Sequence, residues 1–168
     1  MMPTSINQPG VDNTAGNIYE VRPKLWIGSL QGVTQTLHRS PSFFTHAVSC
    51  IEECPDLKPG IFQLHVAIAD DPKASLLAHL DTVYEFIDKA LKTDGKVVVH
   101  CEQGISRSAA LIAGYLLRQE KTSVKLALQS VYLASPKSRV NPWFVQDLIQ
   151  WQIQQTLKNS AAPQTQSD

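Results

Sequence analysis

Residues 97–108 read VVVHCEQGISRS, and this stretch restricts the fold more than any other part of the chain. Three consecutive valines predict a buried strand, because β-branched side chains favour the extended backbone of a sheet interior. A short loop that contains Gly104 follows. After Arg107 and Ser108, the mostly apolar residues 109–117 continue in a helical pattern. The stretch therefore predicts a strand, a loop and a helix in direct succession.

A loop between a strand and the start of a helix provides an anion-binding site. The first backbone N–H groups of a helix have no partner inside the helix, and the helix dipole favours negative charge there. Arg107 adds a planar guanidinium that can hold two oxygens of one phosphate group. The same positive field favours the thiolate form of Cys101, which is the nucleophilic form. We therefore predict a phosphate site over a reactive sulfur; the alternative is an ordinary strand–turn–helix with a buried structural cysteine.

Residues 100–108 match the signature of the cysteine-dependent protein phosphatases, and the helix that follows resembles that of the dual-specificity branch. Two further segments are similar to this branch. Residues 21–29, VRPKLWIGS, resemble its opening strand, and residues 141–144, NPWF, resemble the start of its last helix, although the family usually has Gly in place of Trp143. The resemblance covers residues 18–157 and implies a small dual-specificity phosphatase that consists of the catalytic domain alone.

The resemblance also implies a role for each residue of the loop. Cys101 is the nucleophile that forms a cysteinyl-phosphate, and Ser108 helps the sulfur to leave. His100 orients the loop from behind. The residues assigned to phosphate binding are Glu102, Gln103, Gly104, Ile105, Ser106 and Arg107.

A proton donor for the leaving group is expected within residues 66–72, which read VAIADDP. In the resembling family the acid lies 31 residues before the cysteine, and this spacing selects Asp70. Asp71 precedes a proline, so its backbone is held extended and its carboxylate is expected to be set by the turn. The alternative is that both aspartates are solvated turn residues.

Cys50 directly follows residues 47–49 of a predicted strand, and this strand should neighbour the strand of Val97. Some members of the resembling family carry a second cysteine at a similar strand end, where it captures the oxidised nucleophile as a disulfide. Cys50 is therefore a candidate redox partner of Cys101; the alternative is a small buried core residue. Cys54 lies further into a loop and is interpreted as a bystander.

Strand and helix patterns alternate along the rest of the chain. Further strands are predicted at residues 24–27, 47–51 and 61–67, and helices at residues 75–91, after Ser123 and from Asn141. This alternation is typical of an α/β fold in which helices flank a central, mostly parallel sheet. We therefore predict a dual-specificity phosphatase-like α/β domain.

The 168 residues suffice for one domain with a sizeable core. We predict a disordered tail at residues 1–17, the phosphatase domain at 18–158 and a second disordered tail at 159–168, because both ends are polar. The formal net charge is zero, and no metal-ligand spacing occurs. We expect a phosphoprotein substrate, no metal or cofactor, and neither a nucleic acid nor a membrane as partner. The three cysteines favour a reducing compartment, the cytoplasm or also the nucleus.

The variable positions of the loop bear on the substrate class. Relatives that act on phosphoinositides carry lysines there, whereas this chain has Glu102, Gln103, Ile105 and Ser106. A phosphoprotein is therefore favoured over a polyanionic lipid. Three alternatives stay open: an RNA 5′-phosphatase, a phosphoinositide phosphatase on the same scaffold, and a pseudophosphatase that binds phosphoproteins without turnover.

Overall fold

The computed structural model describes residues 17–161, so most of the two predicted tails, residues 1–16 of the first and 162–168 of the second, lies outside the described residues. The strands are β1 (Ile18–Arg22), β2 (Leu25–Ser29), β3 (His46–Ser49), β4 (Phe62–His65) and β5 (Val97–Cys101). The helices are α1 (Leu30–Arg39), α2 (Leu80–Lys92), α3 (Arg107–Gln119), α4 (Val124–Ala134) and α5 (Pro142–Ala161). Within this range no helix is long and apolar enough to cross a bilayer.

The five strands form one sheet in the order β1-β2-β5-β3-β4, in which only β1 and β2 are antiparallel. This confirms the predicted α/β class with a mostly parallel sheet flanked by helices. The central position of β5 explains why its sequence is a continuous apolar run, since both of its faces are covered. All five residues of β5 are buried, and its carboxyl end opens onto the predicted loop.

Helix α3 is the central helix of the domain. Residues 108–117 are all buried, and a helix that is covered on every side belongs to the core. A close approach of its neighbours explains Gly114, because a Cβ at this position would lie 2.9 Å from Leu80 Cδ2 and 3.3 Å from Leu148 Cδ2. The loop before α3 is thus held between two fully packed elements, β5 and α3.

Helix α1 is absent from the predictions based on sequence. Its start is explained by Ser29, whose hydroxyl accepts a hydrogen bond from the N–H of Gly32 at 3.0 Å and caps the helix. Val33 and Leu37 then form the buried face of the helix and pack with Trp26 of β2. A serine at the end of a predicted strand was the available signal for this helix.

Helix α2 begins at Leu80, so the prediction of a helix from Ser75 is wrong at its start. The N–H of Leu76 donates to Asp147 Oδ2 at 2.8 Å, and the Ser75 hydroxyl donates to Asp147 Oδ1 at 3.3 Å. These bonds draw residues 75–76 towards α5, and the chain passes through a turn before the helix begins. The apolar pattern misled because Leu76 is buried although it is not helical.

Helix α5 extends through residues 159–161, which the domain prediction places in the second tail. The Ser123 cap of α4 is confirmed, because its hydroxyl accepts the N–H of Leu126 at 3.2 Å. The predicted strands at 24–27, 47–51 and 61–67 are present as β2, β3 and β4 with shifted ends.

Candidate active site

The loop at residues 102–106 lies at the carboxyl end of β5, between the neighbouring strands β2 and β3. In open α/β sheets this edge is where ligands bind. Helix α3 begins at Arg107, as predicted, and has no acidic residue in its first turn. The positive end of the helix dipole is therefore directed at the loop without a competing carboxylate from its own first turn.

Gly104 allows the loop to bend over the sulfur of Cys101. Its φ of +71° lies in the left-handed region, which side chains with a Cβ rarely adopt. A Cβ there would also lie 2.9 Å from the carbonyl carbon of Gly28 and 3.0 Å from the backbone nitrogen of Ser29. In this position the N–H of Gly104 donates to Cys101 Sγ at 3.2 Å.

The sulfur of Cys101 has a second polar neighbour in Ser108, whose Oγ lies 3.2 Å from Sγ. Cys101 and Ser108 are both buried, whereas Arg107, the first residue of α3, is half-buried. An N–H donor and a hydroxyl beside a sulfur stabilise negative charge on it. The predicted nucleophile, its predicted leaving-group partner and the predicted phosphate ligand are thus brought together at one loop.

Two backbone carbonyls of the loop, those of Glu102 and Ile105, accept hydrogen bonds from residues outside the loop. The Glu102 carbonyl accepts the N–H of Leu30 at 3.0 Å, and the Ile105 carbonyl accepts the N–H of Arg139 at 2.8 Å. Glu102 and Gln103 expose their side chains to solvent, and Ile105 is half-buried. With these two carbonyls bonded outside the loop, its amide groups can face an anion.

Ser106 differs from the other residues assigned to phosphate binding. Its hydroxyl is buried and accepts the N–H of Asn141 at 3.0 Å. Its side chain is therefore engaged with the start of α5. Asn141 itself was predicted only as the beginning of a helix, and its contact with the loop has no local sequence signal.

A chain of hydrogen bonds supports the loop from behind. His100 is fully buried; its Nδ1 lies 3.2 Å from the Cys101 carbonyl and its Nε2 lies 2.7 Å from Ser49 Oγ. Ser49 Oγ also accepts a bond from Gln63 Nε2 at 2.9 Å, so its own proton is available for His100 Nε2. Burial lowers the pKa of His100, and this favours a neutral imidazole whose Nδ1–H donates to the carbonyl of Cys101. This geometry fits the predicted loop-orienting role of His100.

The predicted acid loop is attached to the phosphate loop. Arg107 Nη1 donates to the carbonyl of Ile68 at 2.9 Å, two residues before Asp70. Asp70 is exposed, and its Oδ1 accepts a hydrogen bond from Asn141 Nδ2 at 2.6 Å. Asp71 Oδ1 accepts the N–H of Lys73 at 2.7 Å, so its carboxylate is set by the turn as expected.

Cys50 directly follows β3, which is the neighbour in the sheet of β5, the strand that ends at Cys101. The predicted pairing of β3 with β5 is confirmed, with Ser49 opposite His100, and the N–H of Cys50 donates to the His100 carbonyl at 2.9 Å. Burial raises the pKa of Cys50 to about 12, and the charge of Cys101 adds to the effect. Cys50 is thus a neutral thiol at physiological pH, while Cys54 is exposed.

Among residues 17–161, no three His, Cys, Asp or Glu side chains are grouped so that they could hold a metal ion.

The chain is similar to known proteins over most of its length. The family model of the dual specificity phosphatase catalytic domain matches residues 25–154. Dual specificity phosphatase 28 from Homo sapiens is 33% identical over 128 residues, which cover 76% of this chain and 73% of the relative. Dual specificity protein phosphatase 12 from Homo sapiens is 30% identical over 144 residues, which cover 83% of this chain but 41% of the relative. The chain thus spans about two fifths of that second protein.

The fold agrees with these sequence matches. The crystal structure of human DUSP28 superposes with a TM-score of 0.75 at 32% sequence identity, and the match covers 83% of this chain and 95% of that one. The family model, the relatives and the structure converge on the same catalytic domain. The chain therefore belongs to the family of dual-specificity protein phosphatases.

Proposed function

We propose that the protein hydrolyses phosphate monoesters on phosphotyrosine and on phosphoserine or phosphothreonine through a cysteinyl-phosphate intermediate. The observation that carries this proposal is the polar environment of the Cys101 sulfur. Sγ lies 3.2 Å from both the Gly104 N–H and the Ser108 hydroxyl, at the start of the helix that carries Arg107. A nucleophile at a phosphate site is the arrangement that phosphoryl transfer to sulfur requires.

The first step forms the S–P bond and breaks the P–O ester bond. The Cys101 thiolate attacks phosphorus in line with the leaving oxygen, while Arg107 and the loop N–H groups hold the other three oxygens. Asp70 transfers its proton to the leaving oxygen as that bond breaks. The products of this step are the dephosphorylated hydroxyl group and a cysteinyl-phosphate.

The second step returns the enzyme to its starting state. Asp70, now a carboxylate, takes a proton from a water molecule that attacks phosphorus and displaces the sulfur. The Ser108 hydroxyl, 3.2 Å from Sγ, donates a hydrogen bond to the departing thiolate of Cys101. The products are inorganic phosphate and the regenerated thiolate, so the reaction is a net hydrolysis.

The loop composition supports a protein substrate. A phosphoinositide presents several phosphate groups, and a site for it needs cations beyond the one that binds the reacting phosphate. None of the variable loop residues is cationic. Glu102 and Gln103 are exposed, Ile105 is half-buried, and the Ser106 hydroxyl is hydrogen-bonded to the N–H of Asn141. The presence of Cys101, Arg107 and Asp70 together favours turnover over a pseudophosphatase.

A comparison of substrate classes tests this function. We expect measurable kcat/KM for both phosphotyrosine and phosphothreonine peptides, and a value at least about tenfold lower for a phosphoinositide, because the loop lacks additional cations. The measurement is phosphate release from each peptide, from a soluble phosphoinositide and from a 5′-phosphorylated RNA. Higher kcat/KM for the lipid or the RNA than for every peptide would overturn the proposal, and tight peptide binding without turnover would indicate a pseudophosphatase.

The position of Cys50 leads to a prediction on oxidation. Neighbouring parallel strands lie about 4.8 Å apart, which is inside the range of about 7 Å that a disulfide can span between Cα atoms. Peroxide should convert Cys101 to a sulfenic acid. The Cys50 sulfur, whose thiol has a pKa raised by burial, then attacks the sulfenic sulfur; its proton leaves with the displaced hydroxide as water, and a disulfide forms. We expect inactivation by mild peroxide that dithiothreitol reverses, and a Cys50–Cys101 peptide in mass spectrometry.

Two variants test whether the disulfide with Cys50 protects Cys101 from irreversible oxidation. Cys50→Ala should recover less activity than the parent, since its sulfenic acid proceeds to irreversible forms. Cys54→Ala is the matched control, because Cys54 is exposed and outside the site, and it should recover like the parent. If Cys50→Ala recovered its full activity after dithiothreitol, Cys50 would be a buried core residue without a redox role.

The cysteines also bear on the compartment. Cys50, Cys54 and Cys101 are all unpaired. Because free thiols persist in reducing compartments, we propose the cytoplasm, and also the nucleus, as the location of the protein.

A further inference from the structure

The segment that leads into α5 contacts both loops of the site. The N–H of Arg139 donates to the Ile105 carbonyl at 2.8 Å, and the N–H of Asn141 donates to Ser106 Oγ at 3.0 Å. The side chain of Asn141 turns the other way, and its Nδ2 donates to Asp70 Oδ1 at 2.6 Å. One residue therefore binds the phosphate loop with its backbone and the acid loop with its side chain.

The bond from Asn141 has a specific effect on a proton donor. A carboxyl group carries its acidic proton on one of its two oxygens, and that oxygen is the one that can deliver it. Because the amide of Asn141 donates to Oδ1 of Asp70, the oxygen left to carry a proton whenever Asp70 is protonated is Oδ2. The bond also restrains an exposed side chain that would otherwise sample several rotamers.

The acid loop does not depend on Asn141 alone for its attachment. Arg107 holds the Ile68 carbonyl at 2.9 Å on one side of Asp70. On the other side the buried carboxylate of Asp147, in α5, accepts the N–H of Leu76 at 2.8 Å. Removing the Asn141 side chain should therefore release the Asp70 carboxyl while the backbone of the loop stays in place.

We propose that Asn141 is a positioning residue that fixes the orientation and the proton-bearing oxygen of Asp70. This inference rests on the proposed function, in which Asp70 protonates the leaving group. In this proposal the residue that precedes α5 contributes to the proton transfer. Asn141 acts through Asp70 and not directly on the phosphate or the sulfur.

A double-mutant cycle between Asn141 and Asp70 tests the inference. The variants are Asn141→Ala, Asp70→Asn and their combination, each assayed with two aryl phosphates, one with a poor and one with a good leaving group. We expect Asn141→Ala to lower kcat about tenfold on the poor leaving group, in line with a hydrogen bond to a carboxyl group. KM and the rate with the good leaving group should change less than about twofold, because that group needs little protonation. In the Asp70→Asn background, Asn141→Ala should have no further effect.

Two further variants serve as matched controls. Asn141→Asp keeps the shape and the helix-capping ability of the side chain but lacks the N–H donor, so it should lose at least as much kcat as the alanine variant. Asp71→Asn alters the adjacent carboxylate, which its own turn holds, and its effect should multiply with that of Asn141→Ala. Thermal unfolding of each variant checks that the fold is retained.

The outcomes separate this inference from the proposed function. If Asp70→Asn lowers kcat but Asn141→Ala does not, or if the two effects multiply, Asn141 does not act through Asp70 and the inference is overturned. If Asp70→Asn itself leaves kcat unchanged on the poor leaving group, the assignment of the acid fails, and the role of Asn141 fails with it.

Discussion

Replacing Cys101 by serine should abolish turnover and leave phosphopeptide binding intact. A serine hydroxyl is not ionised near neutral pH, so no nucleophile is present, whereas the Gly104 N–H and Arg107 stay in place to hold the phosphate. We expect hydrolysis of an aryl phosphate below roughly one part in a thousand of the parent rate. The affinity for a phosphopeptide, measured by calorimetry, should change less than about tenfold.

Cys54→Ser is the control for this substitution, because Cys54 is exposed and lies outside the site, and it should keep the parent activity. The parent should also be unaffected by EDTA, since each proposed step uses side chains of the chain itself. Residual hydrolysis in Cys101→Ser well above the stated limit would refute the assignment of the nucleophile. Loss of parent activity in EDTA would contradict the proposed mechanism as a whole.

The second large effect is expected for Asp70→Asn, which should lower kcat by about 10²–10³ on a substrate with a poor leaving group. The asparagine keeps the size of the side chain but has no acidic proton to transfer. With a good leaving group the loss should shrink, because the leaving oxygen is then stable as an anion. The measurement is kcat across a series of aryl phosphates.

Asp71→Asn is the natural comparison, since the two carboxylates are adjacent but have different partners. Asp71 is bonded to the backbone of its own turn, whereas Asp70 is bonded to Asn141. Asp71→Asn should therefore show a small loss of kcat that is independent of the leaving group. The opposite pattern would mean that the acid lies one residue further along the chain.

The sequence allowed the centre of the site to be predicted because the relevant signals are local. Residues 97–108 contain the strand, the turn glycine and the helix start in succession, and β5 and α3 are found where this pattern places them. Each of these inferences needed only neighbouring residues and the periodicity of their side chains.

The features that the sequence did not predict depend on contacts between residues far apart in the chain. The bond between Asn141 and Asp70 joins residues 71 positions apart, and no periodic pattern encodes it. The late start of α2 has the same cause, since Asp147 binds the N–H of Leu76 from another helix. Where a distant side chain competes for a backbone group, local propensity is overruled.

The contact of Gly104 with the backbone of β2 has a consequence for how the domain can be divided. Every residue with a proposed chemical step, from Asp70 to Ser108, lies in the middle of the chain. A fragment that began at β3 would contain all of them, but it would lack Gly28 and Ser29, on whose backbone Gly104 rests. It would also lack the Leu30 N–H that holds the carbonyl of Glu102. The residues with a proposed chemical step therefore lie in one continuous segment. The conformation of the anion-binding loop, however, also depends on β2 and the start of α1, so the segment alone would not keep the site.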